Sequence, residues 1–107
     1  MRRVVIESPY AGNVAQNMAY LRRCMRDCLL RGEAPFASHA IYTQVLDDSI
    51  PSERKWGIEA GFAWRDLAEA TVVYTDLGTS EGMKLGIEDA EKKGRPVEYR
   101  SLSSLPL

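Results

Sequence analysis

The fold of this chain is decided by the stretch Val72-Val73-Tyr74-Thr75-Asp76-Leu77-Gly78-Thr79-Ser80-Glu81-Gly82-Met83. An apolar strand pattern ends at a carboxylate, passes through a glycine-containing turn and opens a helical stretch. In open α/β sheets, ligands bind in the crevice beyond the carboxyl ends of the strands, and helix N-terminal amides favour phosphate or carboxylate. The stretch therefore predicts a ligand site in outline, at the end of a strand.

Strand and helix patterns alternate along the rest of the chain. Strands are predicted at residues 3–8, 33–38, 70–75 and 96–100, and three helices begin near Asn13, Pro51 and Ser80. This alternation is typical of a parallel sheet covered on both faces and joined by right-handed crossovers. We expect one domain, residues 1–107, with an α/β fold: a three-layer αβα, flavodoxin- or Rossmann-like architecture and a four-stranded parallel sheet in order 2-1-3-4.

Two segments carry no clear pattern. Residues 39–50 show no sustained period, which predicts a long loop after the second strand, and such loops are usually functional or mobile. The tail, residues 101–107, is expected to be loosely held. The sequence shows no internal repeats and no linkers.

The helices are expected to bury apolar stripes. In the first helix, Asn13 is a plausible N-cap, and Gly32 ends the helix. Its predicted stripe comprises Val14, Met18, Leu21, Met25 and Cys28, with Arg22, Arg23, Arg26 and Asp27 lying elsewhere. The predicted stripe of the second helix comprises Trp56, Ala60, Ala63 and Leu67. Gly57 and Gly61 lie one turn apart on that helix, which allows a close approach of another helix or of a ligand; ordinary helix packing is favoured.

Composition argues against several classes of function. The formal net charge is −1 with 27% charged residues, so a polyanion such as nucleic acid is not the expected principal partner. The apolar run after Met1 is too short for a signal peptide or a membrane span, and we expect a cytosolic protein. Cys24 and Cys28 are expected to be reduced, and with the single His39 they fall short of a metal site. We therefore expect no cofactor and no metal.

These motifs resemble the nucleoside 2-deoxyribosyltransferase superfamily. The resemblance rests on a first strand ending in Ser8-Pro9-Tyr10 before Gly12-Asn13, on a loop with Leu46-Asp47-Asp48, and on a third strand ending in Asp76 before Ser80-x-Gly82-Met83. It covers nearly the whole chain and is closest to small phage and bacterial domains of unknown function related to those enzymes. The resemblance implies that Asp76 orients a sugar or base, and that residues 8–13 and 78–82 hold the sugar and any 5′-phosphate.

The resemblance also implies a missing nucleophile. The related enzymes carry a glutamate on the third helix, four residues before an alanine; if that alanine is Ala90, the nucleophile position is Gly86. At about 100° per residue, Glu88, two residues after Gly86, points to the opposite face of the helix, and Glu81 is more than one turn before Gly86. Because glycosyl transfer through a carboxylate needs close placement at the sugar carbon, we expect binding without the family's chemistry.

Twelve residues are predicted to bind the ligand, and no catalytic residue is assigned. Several have structural alternatives: Asp76 as a strand-end turn residue, Ser80 as a helix cap, and Tyr10 as a cover for the sheet edge. Arg54 pairs with a phosphate or with Glu53 or Asp48, and His39 contacts the ligand or hydrogen-bonds within its loop. The predicted ligand-binding residues are Ser8, Pro9, Tyr10, Asn13, His39, Asp48, Arg54, Asp76, Gly78, Ser80, Gly82 and Met83.

Three classes of function remain open. The first is noncatalytic binding of a nucleotide, a nucleoside or an ADP-ribose-like molecule; in a phage protein, acting in the host cytoplasm, this implies sequestration of a host nucleotide immune signal. The alternative is a nucleoside 2-deoxyribosyltransferase or nucleotide N-glycosidase that uses a displaced carboxylate such as Glu81, Glu88 or Asp76. The third is an interaction module that has lost its ligand. Because Trp56, Phe62, Trp64 and Tyr74 exceed what so small a core readily encloses, we also expect a homodimer or higher homo-oligomer formed through the second helix.

Overall fold

The computed structural model describes residues 1–102, in which four strands alternate with helices. The strands are β1 (Arg2–Glu7), β2 (Glu33–Phe36), β3 (Ala70–Tyr74) and β4 (Val97–Arg100). The helices are α1 (Val14–Leu30), α2 (Ser38–Ile41), α3 (Pro51–Arg65) and α4 (Glu81–Lys92), with a 3₁₀ turn (Tyr42–Gln44) after α2. The predicted elements are present, with boundaries that differ by one or two residues.

All strand pairs are parallel, and their order is β2-β1-β3-β4. This confirms the predicted α/β architecture and the order 2-1-3-4. The two central strands are joined in register from Val4 opposite Ala70 to Glu7 opposite Val73. Because β1 and β3 are both central, their carboxyl ends lie side by side, and the crossover direction reverses between them, where ligands bind in such folds.

The two faces of the sheet are covered by different helices. Val4, Ile6, Val72 and Tyr74 form the core cluster with residues of α1. Side chains alternate along a strand, so Glu7 points to the opposite face, where it meets Gly86 of α4. This alternation decides which strand-end residues share a site.

The predicted stripe of α1 is only partly right. Leu21 and Cys28 are fully buried, but Val14 is exposed, and Met18 and Met25 are partly buried against the core. Asp27, which was predicted to lie outside the buried stripe, is buried, and its carboxylate accepts a hydrogen bond from the Tyr74 hydroxyl at 2.6 Å. The hydrophobic pattern of the helix does not predict burial of an aspartate, since a buried carboxylate needs a specific hydrogen-bond partner.

The predicted stripe of α3 is wrong at three of its four positions, and the fourth, Ala60, is half-buried. Trp56 is 65% exposed, and Ala63 and Leu67 are also exposed. The residues that α3 buries are Gly61 and Arg65. A Cβ on Gly61 would lie 2.7 Å from the Ser38 Cβ, so the close approach expected at this glycine is helix packing against α2.

The segment 39–50, expected to be a loop, contains most of α2 and the 3₁₀ turn. Both elements are too short to show a helical period in the sequence, and α2 has no side-chain N-cap. The Thr43 hydroxyl and the Gln44 amide donate to backbone carbonyls one turn earlier, which ties the segment together locally. In the tail, Ser101 and Leu102 contact Asp76, and residues 103–107 lie outside the described part of the chain.

Candidate ligand-binding site

A cavity of about 340 Å³ lies beyond the carboxyl end of β1. Its walls come from the loop after β1, from α2 and the turn that follows it, from one face of α3, and from the first turns of α4. Three aromatic side chains line it, those of Tyr10, Tyr42 and Phe62. A mainly apolar cavity with a few polar groups is the usual form of a small-molecule site.

Eight of the twelve predicted ligand-binding residues line this cavity, and four lie outside it. Those that line it are Ser8, Tyr10, His39, Asp48, Arg54, Ser80, Gly82 and Met83. Those outside it are Pro9, Asn13, Asp76 and Gly78. Asn13 is instead the N-cap of α1, and its Oδ1 accepts a hydrogen bond from the Gln16 amide at 3.1 Å.

Asp76 lies on the α1 side of the sheet. Its carboxylate accepts hydrogen bonds from the Tyr20 hydroxyl at 2.6 Å and from the Leu102 amide at 2.9 Å. The Ser101 hydroxyl donates to its other oxygen at 2.5 Å. Asp76 has the same parity as Val72 and Tyr74 along the strand, so it turns towards α1, while the cavity lies on the face of Glu7.

Ser8 and His39 form a polar pair in the cavity wall. The Ser8 Oγ and the His39 Nε2 are 2.8 Å apart. Burial, together with the positive charge of Arg65, lowers the pKa of His39 to about 4. His39 is therefore neutral near pH 7, and the Ser8–His39 pair can both donate and accept hydrogen bonds.

Two buried charged residues of the cavity wall, Glu7 and Arg65, form what we call its floor, and the sequence did not predict them. They are 4% and 6% exposed, and their side chains form a buried ion pair. Burial raises the pKa of Glu7 to about 7, although the Arg65 charge acts in the opposite direction. The available signal was a glutamate directly after Val4-Val5-Ile6, since a charge at the end of a buried parallel strand requires a partner.

The ion pair fills the space beside Gly86. A Cβ added at Gly86 would overlap the Glu7 carboxylate and the Arg65 guanidinium. The position that the sequence resemblance gives to a nucleophile therefore faces a carboxylate contributed by another element. Glu88 is exposed and lies outside the cavity, while Glu81 is at its rim and pairs with Lys84 at 3.1 Å.

A second arginine supports Arg65 from behind. Arg95 donates to the Arg65 carbonyl at 3.0 Å, to the Thr71 hydroxyl at 3.0 Å and to the Asp89 carboxylate at 2.8 Å. The hydrogen bonds of Arg95 are thus directed at Asp89, Thr71 and the backbone of α3. Arg65 itself lies over the Phe62 ring, with its guanidinium carbon 4.8 Å from the ring centre.

The rim of the cavity is polar and more open. Arg54 is exposed and forms no ion pair within residues 1–102, although the sequence left a pair with Glu53 or Asp48 open. The Glu53 carboxylate instead accepts a hydrogen bond from the Asp47 amide at 3.0 Å. Ser80 is the N-cap of α4, and its hydroxyl accepts from the Met83 amide at 3.3 Å. The free guanidinium of Arg54 is therefore available to a ligand.

Comparison with known proteins gives the family of the chain. A family model described as a domain of unknown function, DUF7768, matches residues 2–100. The chain belongs to this family. No curated protein matches the chain. The description of the family assigns no activity.

A solved structure shares the fold. It is that of a 2-deoxyribosyltransferase from the psychrotolerant bacterium Bacillus psychrosaccharolyticus, with a TM-score of 0.67 and 14% sequence identity. The match covers 98% of this chain and 76% of the other. At this identity the likeness shows the fold alone. Within residues 1–102, no helix is long and apolar enough to cross a membrane.

Proposed function

We propose that the chain binds a nucleotide, a nucleoside or an ADP-ribose-like molecule in this cavity without cleaving it. The observation that carries the proposal is the cavity at the end of β1, with Glu7 and Arg65 at its floor and glycine at position 86. If the chain is a phage protein, its role is to sequester a host nucleotide immune signal.

The lining residues suit the three parts of such a ligand. Tyr10, Tyr42 and Phe62 offer faces on which a base can stack. Ser8 and His39 offer a donor and an acceptor to sugar hydroxyls. Arg54 at the rim suits a phosphate, because a guanidinium binds phosphate through paired hydrogen bonds.

The absence of cleavage is inferred from position 86. A carboxylate that attacks a sugar carbon has to be held close to it, since small displacements are costly. Gly86 supplies no side chain, and the adjoining space is taken by the Glu7–Arg65 ion pair. The exposed carboxylate of Glu88 is outside the cavity.

Thermal unfolding with a panel of nucleosides, nucleotides and ADP-ribose tests the proposal, with chromatography of the same samples for free base. Binding to the native state alone stabilises it by about 2.7 kcal/mol at a hundredfold excess over Kd. We expect a raised Tm with one or more phosphorylated ligands and no base release over hours. Arg54→Ala should weaken the shift, while Arg22→Ala, at an exposed site on α1, should leave it unchanged. No shift with any compound contradicts the proposal.

A second candidate is favoured by one observation: Glu7 is a carboxylate with a pKa near 7 in the wall of the cavity. Such a group can protonate a leaving base or attack a sugar carbon, as required of a deoxyribosyltransferase or N-glycosidase with a displaced carboxylate. Base release by the wild-type chain, lost in Glu7→Gln but kept in Glu88→Gln, would favour this candidate over simple binding.

A reciprocal exchange separates the two candidates further. Gly86→Glu alone would collide with the ion pair, so its failure would say little about chemistry. The double variant Glu7→Ala/Gly86→Glu removes the obstruction and keeps one carboxylate opposite Arg65. We expect the noncatalytic wild type to release no base, and any release in the double variant to show that the cavity binds a nucleoside near position 86.

A further inference from the structure

The Glu7–Arg65 pair is buried without a complete set of hydrogen bonds. Within residues 1–102, Glu7 Oε2, Arg65 Nε and Arg65 Nη1 are shielded from solvent and make no hydrogen bond of acceptable geometry. Glu7 Oε2 and Arg65 Nη1 face each other in the ion pair, which leaves Arg65 Nε without a partner. Buried polar groups are rarely left in this state, and an exception calls for a functional explanation or a missing partner. Both residues line the cavity, so a ligand is a reasonable partner.

Among the described residues, 1–102, no other unpaired anion faces Arg65. Arg95 and Asp89 face Glu7 from the β4 and α4 side, but they are paired with each other. In register on β3, the neighbour of Glu7 is Val73, and the nearby His39 of α2 is neutral. The floor therefore contains a single guanidinium opposed by a single carboxylate.

The charge on Glu7 matters for anion binding because the rim of the cavity is already acidic. Asp48, Glu53 and Glu81 line the cavity with Arg54 as the cation at the rim, so the lining as a whole carries more carboxylates than arginines. A second anion brought next to Arg65 would meet the Glu7 carboxylate at close range. Like charges at such a distance favour protonation of the weaker acid.

We infer that Arg65 binds an anionic group of the ligand, a phosphate or carboxylate, and that Glu7 takes up one proton from solvent when that group arrives. The inference rests on the proposed function, because it takes this cavity as the binding site. Protonated Glu7 no longer competes for Arg65 and becomes a hydrogen-bond donor to the incoming anion. A carboxyl group that titrates near pH 7 needs little further bias to take up this proton.

Calorimetric titration measures the proton directly. The probes are ADP-ribose, whose diphosphate has no ionisation near neutral pH, sulfate as a bare anion, acetate as a bare carboxylate, and adenosine as an uncharged control. At pH 8, the binding heat measured in HEPES should differ from that measured in Tris, because the two buffers supply a proton with different enthalpies. The difference should correspond to an uptake approaching one proton for each anionic probe bound, and to none for adenosine. Above about pH 7, Kd should rise about tenfold per pH unit, as expected for one linked proton.

Glu7→Gln mimics the protonated carboxyl, so its Kd should be low and independent of pH. Glu88→Gln, an exposed carboxylate outside the cavity, should keep the wild-type pH dependence. In the Glu7→Gln background, Arg65→Gln replaces the ion pair by two amides; it should fold cooperatively and lose at least tenfold in anion affinity. Retained affinity in that variant, or anion binding without proton uptake, overturns the inference.

Failure of the inference differs from failure of the proposed function. Binding of ADP-ribose and adenosine with equal affinity and no proton uptake retains the function and overturns the inference. Sulfate binding with proton uptake, but no response to either nucleoside compound, retains the inference and overturns the nucleoside ligand. The relative responses to sulfate and acetate distinguish a phosphate-like ligand group from a carboxylate.

Discussion

The carboxylate of Glu7 occupies the space that a side chain at Gly86 would enter. The two residues belong to β1 and α4, which are far apart in the sequence, and they meet behind the cavity wall that Glu7 lines. A glutamate at one position thus requires a glycine at the other. This contact links the lack of a side chain at position 86 of α4 to the buried acid on β1.

Gly86→Ala should destabilise the fold by about 1–3 kcal/mol, the usual range for overpacking. The added methyl group would displace the far end of Glu7 and with it the buried ion pair. Gly82→Ala on the same helix is the matched control, because its Cβ would meet only the Ser80 Oγ at 4.0 Å. Urea unfolding measures both, and equal stability of the two variants would contradict the contact.

Glu7 and His39 should make opposite contributions to the pH dependence of stability. Burial raises the Glu7 pKa from 4.5 to about 7, so the folded chain holds a proton that the unfolded chain has lost between these values. Burial and Arg65 lower the His39 pKa from 6.5 to about 4, so there the unfolded chain holds the extra proton. Between about pH 4.5 and 6.5, the two contributions cancel.

Single substitutions should reveal the two slopes. In Glu7→Gln, only the contribution of His39 to the pH dependence of stability remains. The free energy of unfolding of this variant should therefore fall as the pH drops from about 6.5 towards 4. His39→Gln leaves the glutamate term, so stability should fall as pH rises from about 4.5 to 7. Each slope should approach about 1.4 kcal/mol per pH unit. Parallel pH profiles in urea unfolding would contradict these protonation states.

Asp76→Ala should act mainly on stability. The carboxylate accepts hydrogen bonds from Tyr20, Ser101 and Leu102, and their loss should cost on the order of 2 kcal/mol. Because Asp76 lies outside the cavity, the ligand-induced rise in Tm should persist in the variant. Asp48→Ala, at a half-buried residue that lines the cavity, is the comparison: it should leave stability nearly unchanged and alter the ligand response. A ligand response lost in Asp76→Ala alone would assign Asp76 to the ligand.

The outer face of α3 should mediate self-association. Trp56 and Trp64 are 65% and 54% exposed, and Leu67 is exposed beside them. Exposed aromatic surface of this kind usually marks an interface, and closed twofold symmetry is the commonest arrangement. Light scattering at micromolar concentration should give at least a dimer, and Trp56→Lys should shift it towards the monomer. Lys55→Ala, an exposed change on the same helix outside this face, is the control; a monomeric wild type would contradict the expectation.

Local patterns in the sequence determined the elements and their arrangement. The apolar run at 72–74 and the Ser80 cap fix a strand end and a helix start through nearest-neighbour chemistry. Alternation of such segments, with right-handed crossovers, leaves few topologies, and the order 2-1-3-4 follows. The same reasoning located eight cavity residues, because parallel strand ends and helix starts gather at one edge of the sheet.

Only the tertiary structure decided which side chains share the floor of the cavity. Pairing Glu7 with Arg65 depends on a contact between β1 and α3, and the fit of Gly86 depends on a third element. The sequence likewise did not predict which face of α3 points inward. Gly57 and Gly61 have no side chain that would mark a hydrophobic stripe, although α2 and the turn after it pack on them. The periodicity of a sequence reflects the hydrophobicity of each residue by itself. Whether a glycine or an ion pair is buried depends instead on the residues that contact it from distant parts of the chain.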